Sequence, residues 1–354
     1  MRFVWLSFVF ALIQGCSGGT ETKNELRKGP SGTVVVLSSR DEKFMHGLLD
    51  LVKEKHPSIE LVVDYGKDSG YLDRLNLEKD APVADLYLSK ASGPLESAAN
   101  SGLFAPVPEA LAARVPTRFQ GANNQWVGLS ARARVLVRRK GLDTPPSTLE
   151  DLMRPEIAGK VARTVATNSS FVGGVTAYIA DHGEDKAREW LSGLQANTLG
   201  NVHPKHTPAV AAVAEGQADV ALVNHYYFYR NILGKTVDPT MSATDIQAKL
   251  DAAPIEIVYP DSQNKGVAWN VSGAGLVNGG PNPIAARAVL EVLLSDEGQQ
   301  AYAFTNREYP VVDGLPSPVG VAPASSFTWS ATSMTDLATH QAKAVALIQE
   351  LGLE

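Results

Sequence analysis

The chain of 354 residues contains one cysteine, Cys16. A single thiol excludes an intrachain disulfide, a zinc ribbon and a thiolate cluster. Charge of one sign is also lacking: 32 basic residues face 38 acidic ones, a formal net charge of −6. Such a balance gives none of the basic stripe of a nucleic-acid binder. The phosphate loop Gly-x-x-x-x-Gly-Lys-Ser/Thr, the zinc helix His-Glu-x-x-His and the nucleophile elbow Gly-x-Ser-x-Gly are all missing. Gly273-Ala-Gly275 lacks the third glycine of a dinucleotide fingerprint. His203 and His206 are spaced i,i+3 with Pro204 between them and no carboxylate close by, which reads as a solvated loop rather than a metal pair. His46 reads as a surface residue.

Long hydrophobic runs are nearly absent too. Phe3 to Ile13 is apolar, follows Arg2, and is too short for a bilayer core of roughly 30 Å; it fits the core of an export signal. Ile13-Gln-Gly-Cys16 resembles a bacterial lipobox, in which the thiol is diacylated and becomes the mature N-terminus. We therefore read 1–15 as a lipoprotein-type signal peptide and 16–32 as a polar, flexible tether. Loss of Arg2 leaves 31 basic residues against 38 acidic, or −7. The expected location is periplasmic or extracytoplasmic, with a lipid at Cys16 holding the protein on a membrane.

The remainder is apolar enough to fold, 44 % by residue, and long enough for two lobes. Thr33–Leu37, Glu60–Tyr65 and Ala84–Leu88 read as buried strands. Between them, Phe44, Met45, Leu48, Leu49 and Val52 share a helical face that ends at His56-Pro57, and Tyr71–Glu78 forms a second helix. That alternation predicts a parallel sheet with right-handed crossovers. Ligands bind beyond the carboxyl ends of such strands, where Ser38-Ser-Arg-Asp41 and Ser89-Lys90 lie. A second α/β stretch has strands at Arg134–Val137, Lys160–Ala166 and Ala218–Val223, with helices at Phe171–His182, Lys186–Leu194 and Pro208–Glu215. Strands follow at Ile255–Tyr259 and Val271–Val277, then helices at Ile284–Leu294, Glu297–Phe304 and Met334–Leu351.

The chemically informative step is Asn224-His-Tyr-Tyr-Phe-Tyr229. Adjacent tyrosines diverge on a regular strand or helix, but at a strand-to-helix turn both phenols can enter one cleft. Phenols titrate at about 10 in water, and a bound cation stabilises the phenolate. Oxygen donors of this kind suit a hard ion. On composition alone, three tyrosines in four residues are more often core aromatics than ligands.

Several motifs occur in order: Val35-Val-Leu-Ser-Ser-Arg40, Ala84-Asp-Leu-Tyr87, Val127-Gly-Leu-Ser-Ala-Arg-Ala-Arg-Val135, Pro155-Glu-Ile-Ala-Gly-Lys160, Ala218 through Asn224-His-Tyr-Tyr227, Val271-Ser-Gly-Ala-Gly275 and Arg307-Glu-Tyr-Pro310. With them the chain from about Thr33 to Glu354 resembles the periplasmic ferric-ion-binding proteins, the substrate-binding components of iron(III) ABC transporters. The resemblance implies a two-lobed α/β fold, each lobe a mostly parallel sheet flanked by helices, with a hinge between them. The expected N-lobe is 33–133 plus 256–308, and the expected C-lobe is 134–255 plus 309–354. It implies a monomer that hands Fe(III) to a permease and its ATPase, with no catalysis and no nucleic acid.

The metal ligands it implies are Tyr226, Tyr227 and Asp41, the last where many members have a histidine. A carbonate or phosphate-like anion would lie against Arg132, Asn168, Ser169, Ser170 and Asn224. The start of the helix after Asn168 favours an anion through its free N–H groups, and the same serines could simply cap it. Lys90 stands where members carry a glutamate, and Arg138 where some carry a third tyrosine. Both are expected as cleft charges. A second reading is an anionic organic solute, such as a sugar phosphate or phosphonate, clamped by Lys90, Arg138 and Arg132.

Overall fold

The structure is a computed structural model that describes residues 29–236, 238, 240–260 and 265–353. The proposed leader and Cys16 lie outside the described residues.

Strand β1 (Gly32–Ser38) pairs in parallel with β2 (Ile59–Tyr65) and β3 (Leu86–Ser89). Helix α1 (His46–Lys55) and helix α2 (Asp68–Leu77) make the two crossovers. Each buries the apolar face its spacing foretells: Leu48 and Val52 on the first, Tyr71 and Leu75 on the second. Helix α3 (Ser92–Asn100) follows, with Pro94 in its first turn, where a missing N–H costs nothing. The chain then runs through β4 (Phe104–Ala105) into β5 (Val127–Arg139).

Strand β5 organises the molecule. Its first half pairs antiparallel with β10 (Trp269–Val277) and β11 (Tyr309–Pro310). From Arg134 onward it pairs instead with β8 (Val220–Asn224), and from Leu136 also with β9 (Ile255–Val258). Strand β6 (Val161–Thr164) lies parallel to β8 on one side and to β7 (Val202–His203) on the other. The sheet order is β2-β1-β3-β10-β5-β8-β6-β7, so one strand is shared by two α/β halves. By pairing, β9 belongs with the second half and β11 with the first.

In the sequence only Arg134–Val137 reads as strand, because Ser130, Arg132 and Arg134 interrupt the apolar pattern. All three are buried, and hydrogen bonds permit it. The second half packs helix α4 (Ser169–His182) and α5 (Glu184–Asn197) on its sheet through Phe171, Val175, Trp190 and Leu194. Helix α6 (His206–Ala214), α7 (Tyr226–Leu233) and α8 (Ala243–Ala252) follow, then α9 (Pro283–Leu294) on the first half. The last helix, α10 (Met334–Glu350), contributes Leu337 to one core and Leu347 to the other. Among the described residues no helix is long and apolar enough to cross a membrane.

Candidate functional site

The carboxyl ends of β1 and β3, the β8-to-α7 turn and the start of α4 converge on one cavity of about 220 Å³. Water occupies about 30 Å³ per molecule in the liquid, so there is room for a metal ion and a small anion. Of the residues singled out in the sequence, Asp41, Lys90, Arg132, Asn168, Ser169, Ser170, Tyr226 and Tyr227 all line it.

Tyr226 and Tyr227 occupy the first turn of α7, immediately after β8 and His225. Their ring centroids lie 4.3 Å apart at 37°. Burial first, and then its neighbour Tyr226, push the Tyr227 phenol well above its ordinary range. Arg230 and Arg132 act the other way, favouring the phenolate. Arg230 sits one turn on from the pair, with its guanidinium 4.7 Å from the Tyr226 ring centre, 5.5 Å from that of Tyr227 and 5.0 Å from that of Phe44.

His225 is not in the cavity. Its Nδ1 accepts from the Ala133 N–H at 3.2 Å and its Nε2 donates to the Arg307 carbonyl at 2.8 Å. Arg307 takes a left-handed φ of 55°, which aims that carbonyl at the ring. The imidazole therefore pins β5 to the segment before β11. Burial dominates its titration and lowers it to about 4.

Elsewhere on the lining, Asn168 caps α4, its Oδ1 accepting from the Ser170 N–H at 3.0 Å. Asn224 is fully buried and lies beneath the wall rather than on it. Its Nδ2 donates to Ser170 Oγ at 3.1 Å, while its Oδ1 accepts from Arg134 at 3.2 Å. Asn224 therefore orients the serine. Arg132 donates to Asn270 Oδ1 at 2.9 Å and to the Lys90 carbonyl, and Asn270 donates in turn to Ser170 Oγ at 3.3 Å. Arg132 and Arg134 share one face of β5, as their i,i+2 spacing requires. Arg134 fits because a Cβ on Gly174 would come within 3.3 Å of its Nε.

Asp41 is 64 % exposed at the rim, 3.5 Å from Lys43. Among the described residues Lys90 has no ion-pair partner. Arg138 requires a correction, because it is not in the cavity. It binds Glu256 at 2.8 Å and the Pro146 carbonyl at 2.7 Å on the outer stretch of β5. Six residues at about 3.3 Å each put it about 20 Å along the strand from Arg132. His206 is the other correction: it is no solvated loop residue but a buried one that lines the cavity beside Tyr227. His46 is exposed, as expected.

Sequence spacing missed the floor of the site. Glu308 binds Arg40 at 3.1 Å and accepts from Ser130 and Asn306, and Asn306 accepts from Arg230. Arg40 also donates to the Tyr302 carbonyl at 2.8 Å and stacks over its ring at 3.9 Å. Burial alone would raise Glu308, but the charges of Arg40 and Arg132 and its hydrogen bonds override this and hold it at about 2. Arg230 was findable from its one-turn spacing; the pairing of Arg40 with Glu308, 268 residues apart, was not.

These shifts predict acid lability. His225 is held near 4 against an ordinary 6.5, so the unfolded chain gains the first proton as pH drops. His206, His203 and His182, all lowered by burial, act in the same direction. Stability therefore falls from about pH 6.5 downward. Glu308 contributes on the order of 3 kcal/mol above its ordinary 4.5, which is lost as pH drops through about 2. Urea midpoints measured from pH 7 to pH 3 check this. A flat midpoint between 6.5 and 4.5 contradicts the buried neutral imidazoles.

The lining carries four cations, Arg40, Lys90, Arg132 and Arg230, against two carboxylates, Asp41 and Glu308. With both phenols ionised it sums to zero. Among the described residues no group of three or more His, Cys, Asp or Glu could hold a metal. A metal here depends on the phenols.

The chain is similar to several known proteins. Residues 81–329 match the model of a family described as bacterial extracellular solute-binding protein. Iron uptake protein A2 of Synechocystis sp. is 32 % identical over 286 residues, 79 % of this chain and 80 % of that protein. The Fe(3+)-binding periplasmic protein of Serratia marcescens is 25 % identical over 324 residues, 90 % of each. A solved Trichodesmium IdiA (FutA) structure with iron and citrate ligands superposes with a TM-score of 0.79 at 28 % identity, covering 91 % of this chain and 100 % of that one. The chain belongs to the bacterial extracellular solute-binding protein family, alongside its ferric-ion-binding members, and has their two-lobed fold.

Proposed function

We propose that this protein captures ferric iron in the cavity and delivers it to an ABC permease powered by a partner ATPase. The observation that carries the reading is that two adjacent phenols line one small cavity together with Arg132, Lys90 and the Ser169–Ser170 helix start. Tyr226 and Tyr227 bind as phenolates and Asp41 supplies a further oxygen. Iron repays the cost of ionising buried phenols, which burial otherwise opposes. A carbonate or phosphate-like anion completes the coordination against Arg132, Lys90, Ser169 and Ser170. The charge sum supports that partner: once the phenolates neutralise the lining, the ferric charge is left for the anion to balance.

The relatives' names point the same way. Tyrosines from the second half and Asp41 from the first line the same cavity. A ligand bridging both favours the closed form, which the permease reads. The protein acts as a monomer outside the cytoplasm, held by a lipid on Cys16, and needs no catalytic step of its own. Adding ferric citrate to purified protein is expected to raise a visible phenolate-to-iron charge-transfer band. No band, with unchanged thermal stability, sinks the reading.

A further inference from the structure

We propose that His206 is a nitrogen ligand to the captured metal, taken up beside the two phenolates. The inference rests on the ferric reading and adds a donor that sequence spacing gave no reason to expect. His206 opens α6, yet its side chain is only 2 % exposed and lines the same cavity as Tyr226 and Tyr227. Neither ring nitrogen has a hydrogen-bond partner among the described residues. Buried polar atoms are almost always paired, so an imidazole with both nitrogens unpaired at a cavity wall points to something that enters the cavity.

Its ring lies 4.7 Å from that of Tyr227 at 35°, so the two side chains reach the cavity side by side. Capping does not explain it, because Lys205 is the cap residue and offers no side-chain bond. A neutral imidazole offers a ring-nitrogen lone pair that can bind a metal. A cation on this ring would add to an already cationic wall, whereas a neutral donor adds none. Imidazole is also a chemically suitable ligand for iron. The donor set becomes mixed, with two phenolates and one imidazole on the second half and Asp41 on the first. Fewer positions then remain for the anion.

The test uses full-length protein labelled with 15N-histidine and loaded from ferric citrate. Electron–nuclear double resonance on the bound iron is expected to show a coupled 15N that disappears in His206→Gln. That variant keeps a similar volume and should leave the apo thermal midpoint in place; His206→Asn serves if it does not fold. Loss of iron to a competing chelator should accelerate by about 10- to 100-fold or more, the range for removing even an outer support of a metal ligand. A wild-type charge-transfer band without any 15N coupling overturns the inference alone. So does a coupling that persists in the variant. No band in the wild type overturns the ferric reading and this inference with it.

Discussion

Replacing Tyr226 and Tyr227 together by phenylalanine abolishes ferric binding and leaves the fold intact. The phenyl rings preserve what the pair contributes to packing. They still lie against one another, against His206 and beneath Arg230. The stability change should stay within about 1 kcal/mol. Binding is different, because each phenolate is a charged donor to a trivalent ion. Losing one partner of a buried charge pair costs on the order of 3–5 kcal/mol, so the double change costs roughly four orders of magnitude or more. Absorbance titration with ferric citrate measures the binding, and urea unfolding with circular dichroism measures the fold. A double variant that still binds iron tightly refutes these two residues as its ligands.

The largest loss of stability is expected at Glu308. In Glu308→Gln the Arg40 guanidinium stays buried with its counter-charge gone. The expected cost is about 3–5 kcal/mol. Arg40→Met removes the carboxylate's ion-pair partner and should also destabilise the fold. The double variant should cost distinctly less than the two single losses added, because no isolated charge is left behind. Urea denaturation of the four proteins completes the cycle. Single losses under about 1 kcal/mol would deny the pair any structural role. The pair also serves the site, since Glu308 holds Asn306 and Asn306 holds Arg230 over the phenols. Disturbing it should therefore weaken iron binding without touching a ligand.

The sequence by itself determined what depends on neighbours along the chain. Strand-helix alternation fixed the parallel β1–β2 and β1–β3 pairings, because short connections leave few topologies. The strand-to-helix turn put two phenols side by side. The i,i+2 spacing put Arg132 and Arg134 on one face, and the Asn168–Ser170 step started a helix with free donors. Each is a consequence of period and local geometry.

Only the tertiary structure decided which of these faces meet. Arg40 finds Glu308 because β5 carries β11 and β1's half of the sheet together, a pairing across 268 residues that no spacing encodes. His206 is buried because α6 packs near the phenols, although Pro204 and Lys205 before it read as a loop. Arg138 has the parity of Arg132 but lies beyond the point where β5 changes partners, so Glu256 on β9 takes it. Alternation sets the side of a strand on which a residue stands; register and strand order set what stands opposite it.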